Sequence, residues 1–110
     1  MTEWLKAAQS QEKDYLNDLV ALMKIPSVRD DAAATDEYPL GPRPAQALKA
    51  FLEMADQDGF KTKNIDNLVG YAECGEGDET LAILAHLDVM PAGKGWDTDP
   101  FDPVIKDGNL

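Results

Sequence analysis

Of the residue types that most often carry chemistry, this chain of 110 residues has few: one cysteine and one histidine. A single cysteine, Cys74, excludes an internal disulfide framework and fits a reducing compartment. With no second cysteine and no adjacent histidine to activate it, Cys74 reads as a half-buried strand residue. Positive charge is scarce as well. Ten Lys and Arg face 21 Asp and Glu, for a formal net charge of −11, and no basic cluster interrupts the excess. Such a surface repels nucleic acid and anionic membranes, so neither is an expected partner. No apolar run approaches the roughly 20 residues that cross a bilayer. The opening Met1-Thr2-Glu3-Trp4-Leu5-Lys6 lacks the basic leader and apolar stretch of a signal peptide. The expectation is a soluble, cytoplasmic protein.

What is present is enough for a core. Apolar residues make up 44% of the chain, and its length allows one domain at most. From Thr2 to Lys24 the apolar positions Trp4, Leu5, Ala8, Tyr15, Leu16, Leu19, Val20, Leu22 and Met23 recur at helical spacing. They predict one amphipathic helix, or two broken near Ser10. Thr2 and Ser10 are candidate N-caps, and Pro26 forces the preceding residue out of the helical region. Residues 27–43 read as a long irregular connection, a length that is uncommon unless functional or mobile. A further helix is expected over 44–58, with Leu48, Phe51, Leu52 and Ala55 on one face. Pro44 suits its first turn and Gly59 its C′ position. The period then changes to two, which predicts strands over 60–65 and 68–74. Residues 75–79 read as a tight hairpin connection. They are too acidic for a phosphate loop, lack its lysine, and lead away from any helix. The continuously apolar residues 81–85 read as a central strand covered on both faces. Helices followed by strands define an α/β fold: two helices, then a mixed sheet.

The lone histidine, His86, follows that apolar run, and Asp88 lies two residues on. The C-terminal end of a central strand is where α/β proteins build their sites. In extended chain, residues i and i+2 point to the same side, with Cα atoms about 7 Å apart. One imidazole nitrogen can then bind a cation while the other donates to the carboxylate. Pro91 and Gly93 turn the chain beyond. Taken alone, His-x-Asp favours a satisfied structural histidine, and zinc takes three or four ligands where this chain offers no second histidine. Asp97, Asp99 and Asp102 begin like a calcium loop, but Asp102 stands where that loop needs glycine and Gly108 where it needs glutamate. Trp96, Pro100, Phe101 and Pro103 read as packing and turn residues. Residues 102–106 read as a strand, with Asp107-Gly108 as a hairpin turn.

The run Leu84-Ala85-His86-Leu87-Asp88-Val89-Met90-Pro91-Ala92-Gly93, followed by Gly95-Trp96, Pro100-Phe101 and Asp107-Gly108, resembles the first metal motif of the co-catalytic zinc peptidases. That family includes aminoacylases, carnosinases, desuccinylases and bacterial dipeptidases. Within it the chain is most similar to the dipeptidase V group of lactic acid bacteria. Met23-Lys24-Ile25-Pro26-Ser27, Phe51-Leu52-Glu53-Met54-Ala55, Asp58-Gly59-Phe60 and Asn64-Ile65-Asp66-Asn67 carry that narrower likeness. The resemblance implies a di-zinc hydrolase with an α/β/α catalytic domain. It implies His86 as a ligand of one zinc, and Asp88 as the catalytic carboxylate that fixes the His86 tautomer. Manganese or cobalt suits the same donors. The implied substrates are small peptides, namely dipeptides with a free N-terminus, carnosine-like ones among them.

The bridging aspartate, paired glutamates and distant histidine of that family come later than Leu110. Residues 1–110 are therefore expected to be the N-terminal portion of a catalytic domain, inactive alone and prone to self-association through open sheet edges. Two other readings keep their place. One is an N-acyl amino acid deacylase of desuccinylase or acetylornithine deacetylase type. The other is a non-catalytic acidic module that binds a partner through residues 27–43.

Overall fold

The computed structural model describes residues 2–110. Helices lead and strands follow, in the order α1 (Glu3–Ser10), α2 (Glu12–Met23), a 3-10 turn (Asp31–Ala33), α3 (Pro42–Gln57), β1 (Lys61–Ile65) and β2 (Val69–Glu73). This is the expected α/β class. The residues form two compact units. One combines the N-terminal helices, through Lys24, with Gly95–Leu110, and the other is Ile25–Lys94.

In the first unit the amphipathic segment is two helices, not one. Thr2 caps α1, its Oγ1 accepting from the Leu5 N–H at 3.2 Å, and Glu3 favours the positive end of the helix dipole. At Gln11 the backbone leaves ideal helical values (φ −96°, ψ 0°) and its N–H turns back to the Ala8 carbonyl. Ser10 supplies no cap to α2; its hydroxyl donates instead to the Ala7 carbonyl at 2.6 Å. Glu12 and Asp14 begin α2. Neither helix buries a residue. In Gly95–Leu110 the expected strand over 102–106 does not form. Only Lys106 pairs, with Asn109 across a turn in which Asp107 and Gly108 both have positive φ. Asp99 is occupied locally. Its carboxylate accepts from the Phe101 N–H at 2.9 Å, and its carbonyl from Asp102 N–H at 3.1 Å.

The second unit holds the core. Residues 27–43 are irregular but closely knit. Asp30 caps the 3-10 turn through the Ala32 and Ala33 N–H groups. Its own N–H reaches the Leu40 carbonyl at 3.1 Å, which draws the two ends of the loop together. Gly41 closes the loop at φ +92°, where an added Cβ would sit 3.0 Å from the Asp30 carbonyl oxygen. Pro42 then starts α3, two residues before the expected start at Pro44. The helix stops in a Schellman motif: Phe60 N–H bonds the Ala55 carbonyl and Gly59 N–H the Asp56 carbonyl, with Gly59 at φ +91°. Ala45, Ala47, Leu48, Leu52 and Ala55 form the buried apolar face of α3. Phe51, expected on that face, is more than a third exposed.

α3 packs on the antiparallel pair β1–β2, in which Lys61 faces Glu73 and Ile65 faces Val69. The hairpin is made by Asp66, Asn67 and Leu68, the first two in the left-handed region. Asn64 and Asn67 bond each other side chain to side chain, and Asn67 also donates to the Glu37 carbonyl at 2.8 Å. The hairpin therefore lies at 66–68, not at 75–79. The latter residues join β2 to a stretch without regular structure. Cys74 lies just past β2 and is exposed, not half-buried.

Residues 81–85 do not form the expected central strand. Leu81 and Leu84 are 89% and 97% exposed. A strand is held by ladder partners at its sides and cover on its faces, and among the described residues none pairs with this stretch.

Candidate functional site

His86 and Asp88 lie in the second unit, in the extended stretch that follows the apolar run. Their separation of two residues has the expected result. The side chains meet on one side of the chain, with His86 Nδ1 3.3 Å from Asp88 Oδ1. The same nitrogen lies 2.9 Å from the backbone carbonyl oxygen of Asp88. A carbonyl oxygen only accepts, so a hydrogen bond there requires the proton on Nδ1. In the neutral ring that leaves Nε2 with its lone pair free to bind a cation. Both side chains are open to solvent, at 83% and 60% exposed. Beyond them Gly93 turns the chain at φ +72°.

An imidazole placed in this way can offer Nε2 to a cation while Asp88 stands beside Nδ1. It suits one corner of a zinc centre and does not make a whole one. Among the described residues, no three His, Cys, Asp or Glu side chains are gathered where an ion could be held. The acidic tail Asp97, Asp99 and Asp102 belongs to the first unit, and Asp99 spends its carboxylate on the backbone.

A third residue joins this stretch from far away in sequence. Ser27 is 2% exposed, the one buried polar side chain among the described residues. Its hydroxyl donates to the Leu87 carbonyl at 2.7 Å, and its own carbonyl accepts from Val89 N–H at 3.1 Å. The sequence carries only a faint signal for this role. Ser27 follows the Ile-Pro step that ends the helical segment, and no periodicity marks it as buried.

Similarity to known proteins bears on the class of protein to which these residues belong. The chain is similar to bacterial proteins whose names read "Putative dipeptidase". It is 49% identical over 104 residues to one from Staphylococcus haemolyticus, covering 94% of this chain and 22% of that protein. It is 47% identical over 102 residues to one from Staphylococcus aureus, covering 93% of this chain and again 22% of the relative. The chain thus spans about a fifth of the length of the curated relatives it matches. No family model matches the chain.

Proposed function

We propose that these 110 residues supply the first metal ligand and its orienting carboxylate to a di-zinc dipeptidase of about the length of the relatives. The observation that carries this reading is the His86–Asp88 pair, with Nδ1 turned to Asp88 and Nε2 left for a metal. The likeness of nearly the whole chain to proteins named as dipeptidases supports the substrate class.

In this reading Nε2 of His86 holds one zinc, and Asp88 keeps the ring in the tautomer that binds and raises its basicity. Zinc, when bound, supplies Lewis acidity toward water and the scissile carbonyl. Residues outside these 110 would complete the coordination set and provide the general base. The substrates are dipeptides with a free N-terminus, including carnosine-like ones, and manganese or cobalt is accepted by the same donor types.

The test is an assay of the full-length enzyme on dipeptides beside N-acyl amino acids, before and after chelation and zinc return. Dipeptide hydrolysis that chelation abolishes, zinc restores and His86→Ala removes is expected. Preference for N-acyl amino acids would make the protein a deacylase, and full activity of His86→Ala would overturn the site. The 110 residues alone are expected to hydrolyse no dipeptide with or without zinc; metal-dependent turnover by them would refute that part.

A further inference from the structure

We propose that Ser27 is a positioning residue for the His86–Asp88 pair, holding residues 87–89 so that the ring keeps its proton on Nδ1. Its consequence for metal binding rests on the function proposed above.

The hydrogen bonds explain why serine stands here. In a parallel ladder, one residue donates its N–H to the carbonyl before its partner and accepts from the N–H after it. Ser27 makes this pattern around Asp88, accepting from Val89 N–H with its carbonyl at 3.1 Å. It cannot complete the pattern with its own N–H, which is turned to the Ile25 carbonyl at 2.8 Å in a three-residue turn. The next N–H, of Val28, is likewise taken by the Pro26 carbonyl at 2.7 Å. The hydroxyl replaces the missing donor, reaching Leu87 at 2.7 Å. One side chain thus does the work of a backbone N–H and completes a two-point grip on the residues flanking Asp88.

That grip bears on the ring. Nδ1 of His86 is fixed by the Asp88 carbonyl oxygen as well as by the carboxylate. The Asp88 carbonyl shares a peptide plane with the Val89 N–H, which the Ser27 carbonyl holds, while the hydroxyl holds the Leu87 carbonyl on the preceding plane, so the two bonds together set the backbone angles at Asp88. Among the described residues the stretch 81–90 has no ladder partner to hold it otherwise. An alanine at 27 keeps the backbone bond to Val89 N–H but leaves the Leu87 carbonyl without this donor, so the backbone angles at Asp88 are held from one side only.

His86 is the only histidine in the chain, so its ring nitrogens can be observed by 15N NMR without ambiguity. The experiment compares the 110-residue chain with Ser27→Ala and Ser27→Thr at a pH where the ring is neutral. It reads the two imidazole 15N shifts, together with hydrogen exchange at Val89 and along α3. The wild type is expected to show a protonated Nδ1 and a bare Nε2. Ser27→Ala is expected to show averaged nitrogens and faster exchange at Val89, by tenfold or more, with α3 protection kept. Ser27→Thr, which retains the hydroxyl, is expected to match the wild type. An unchanged ring in Ser27→Ala, equal loss in both variants, or loss of α3 protection in Ser27→Ala would overturn the proposal; the last would make Ser27 a residue of the fold. None of these readouts depends on hydrolysis. An active His86→Ala enzyme would therefore defeat the proposed function and leave this result standing.

Discussion

At the scale of single residues, the half-site is a matter of which nitrogen faces which oxygen. His86 and Asp88 are adjacent because the chain is extended there and the side-chain period is two. That much is legible in the sequence. A carboxylate that orients a metal-binding histidine typically contributes 10–100-fold to metal affinity or activity. On the function proposed above, Asp88→Asn in the full-length protein is expected to weaken zinc binding or turnover by about that factor, read by competition with a chelating dye and by kcat. An Asp88→Asn enzyme with unaltered zinc affinity and kcat would remove Asp88 from the site. Ser27 was legible only as part of a short resemblance. Its burial and its bond to Leu87 join positions 60 apart, and no local pattern encodes such a pair.

At the scale of elements, the helix and hairpin of the second unit follow closely from local chemistry. α3 stops just before Gly59 and buries Leu48, Leu52 and Ala55 as the spacing predicts, though it starts at Pro42, two residues early, and leaves Phe51 exposed. β1 and β2 lie within the expected runs. The turn between them rests on Asp66 and Asn67, two residue types that tolerate positive φ better than most. The packing of the helix on the hairpin has a requirement of its own at Gly70. A Cβ there would lie 2.9 Å from Leu48 Cδ1, and 3.0 Å from both Leu52 Cδ1 and the Lys63 carbonyl oxygen. The leucine tips can shift, whereas the carbonyl belongs to the paired strand. Gly70→Ala is expected to destabilise the fold by about 1–3 kcal/mol, the usual cost of overpacking, measured as a lowered urea midpoint. An unchanged midpoint would mean that α3 moves away freely. The same glycine, seen in sequence, reads only as a weak point in a strand.

At the scale of the whole molecule, the largest departure from sequence expectation is the apolar run 81–85. Its composition is that of a strand covered on both faces, and here Leu81, Ile83 and Leu84 are each more than four-fifths exposed. Exposed apolar strand-forming sequence is a template for pairing with other chains. The 110-residue chain is expected to self-associate with rising concentration, and Leu84→Lys to reduce that association, both read by sedimentation velocity. A monomer throughout, with sharp cooperative unfolding, would count against this. No helix among the described residues is long and apolar enough to cross a membrane.

The sequence by itself determined the α/β class, the helix limits set by Pro26 and Gly59, the two-residue spacing that unites His86 with Asp88, and the acidic surface. Each is a property of neighbours within a few residues, where propensity, capping and side-chain period act directly. Tertiary structure alone decided that the first helical segment buries no residue fully, that Gly70 must stay bare beneath Leu48 and Leu52, that residues 81–85 have no ladder partner among the described residues, and that Ser27 bonds the backbone on either side of Asp88. Those outcomes depend on what lies opposite in space, and partners distant along the chain leave no periodic mark in it.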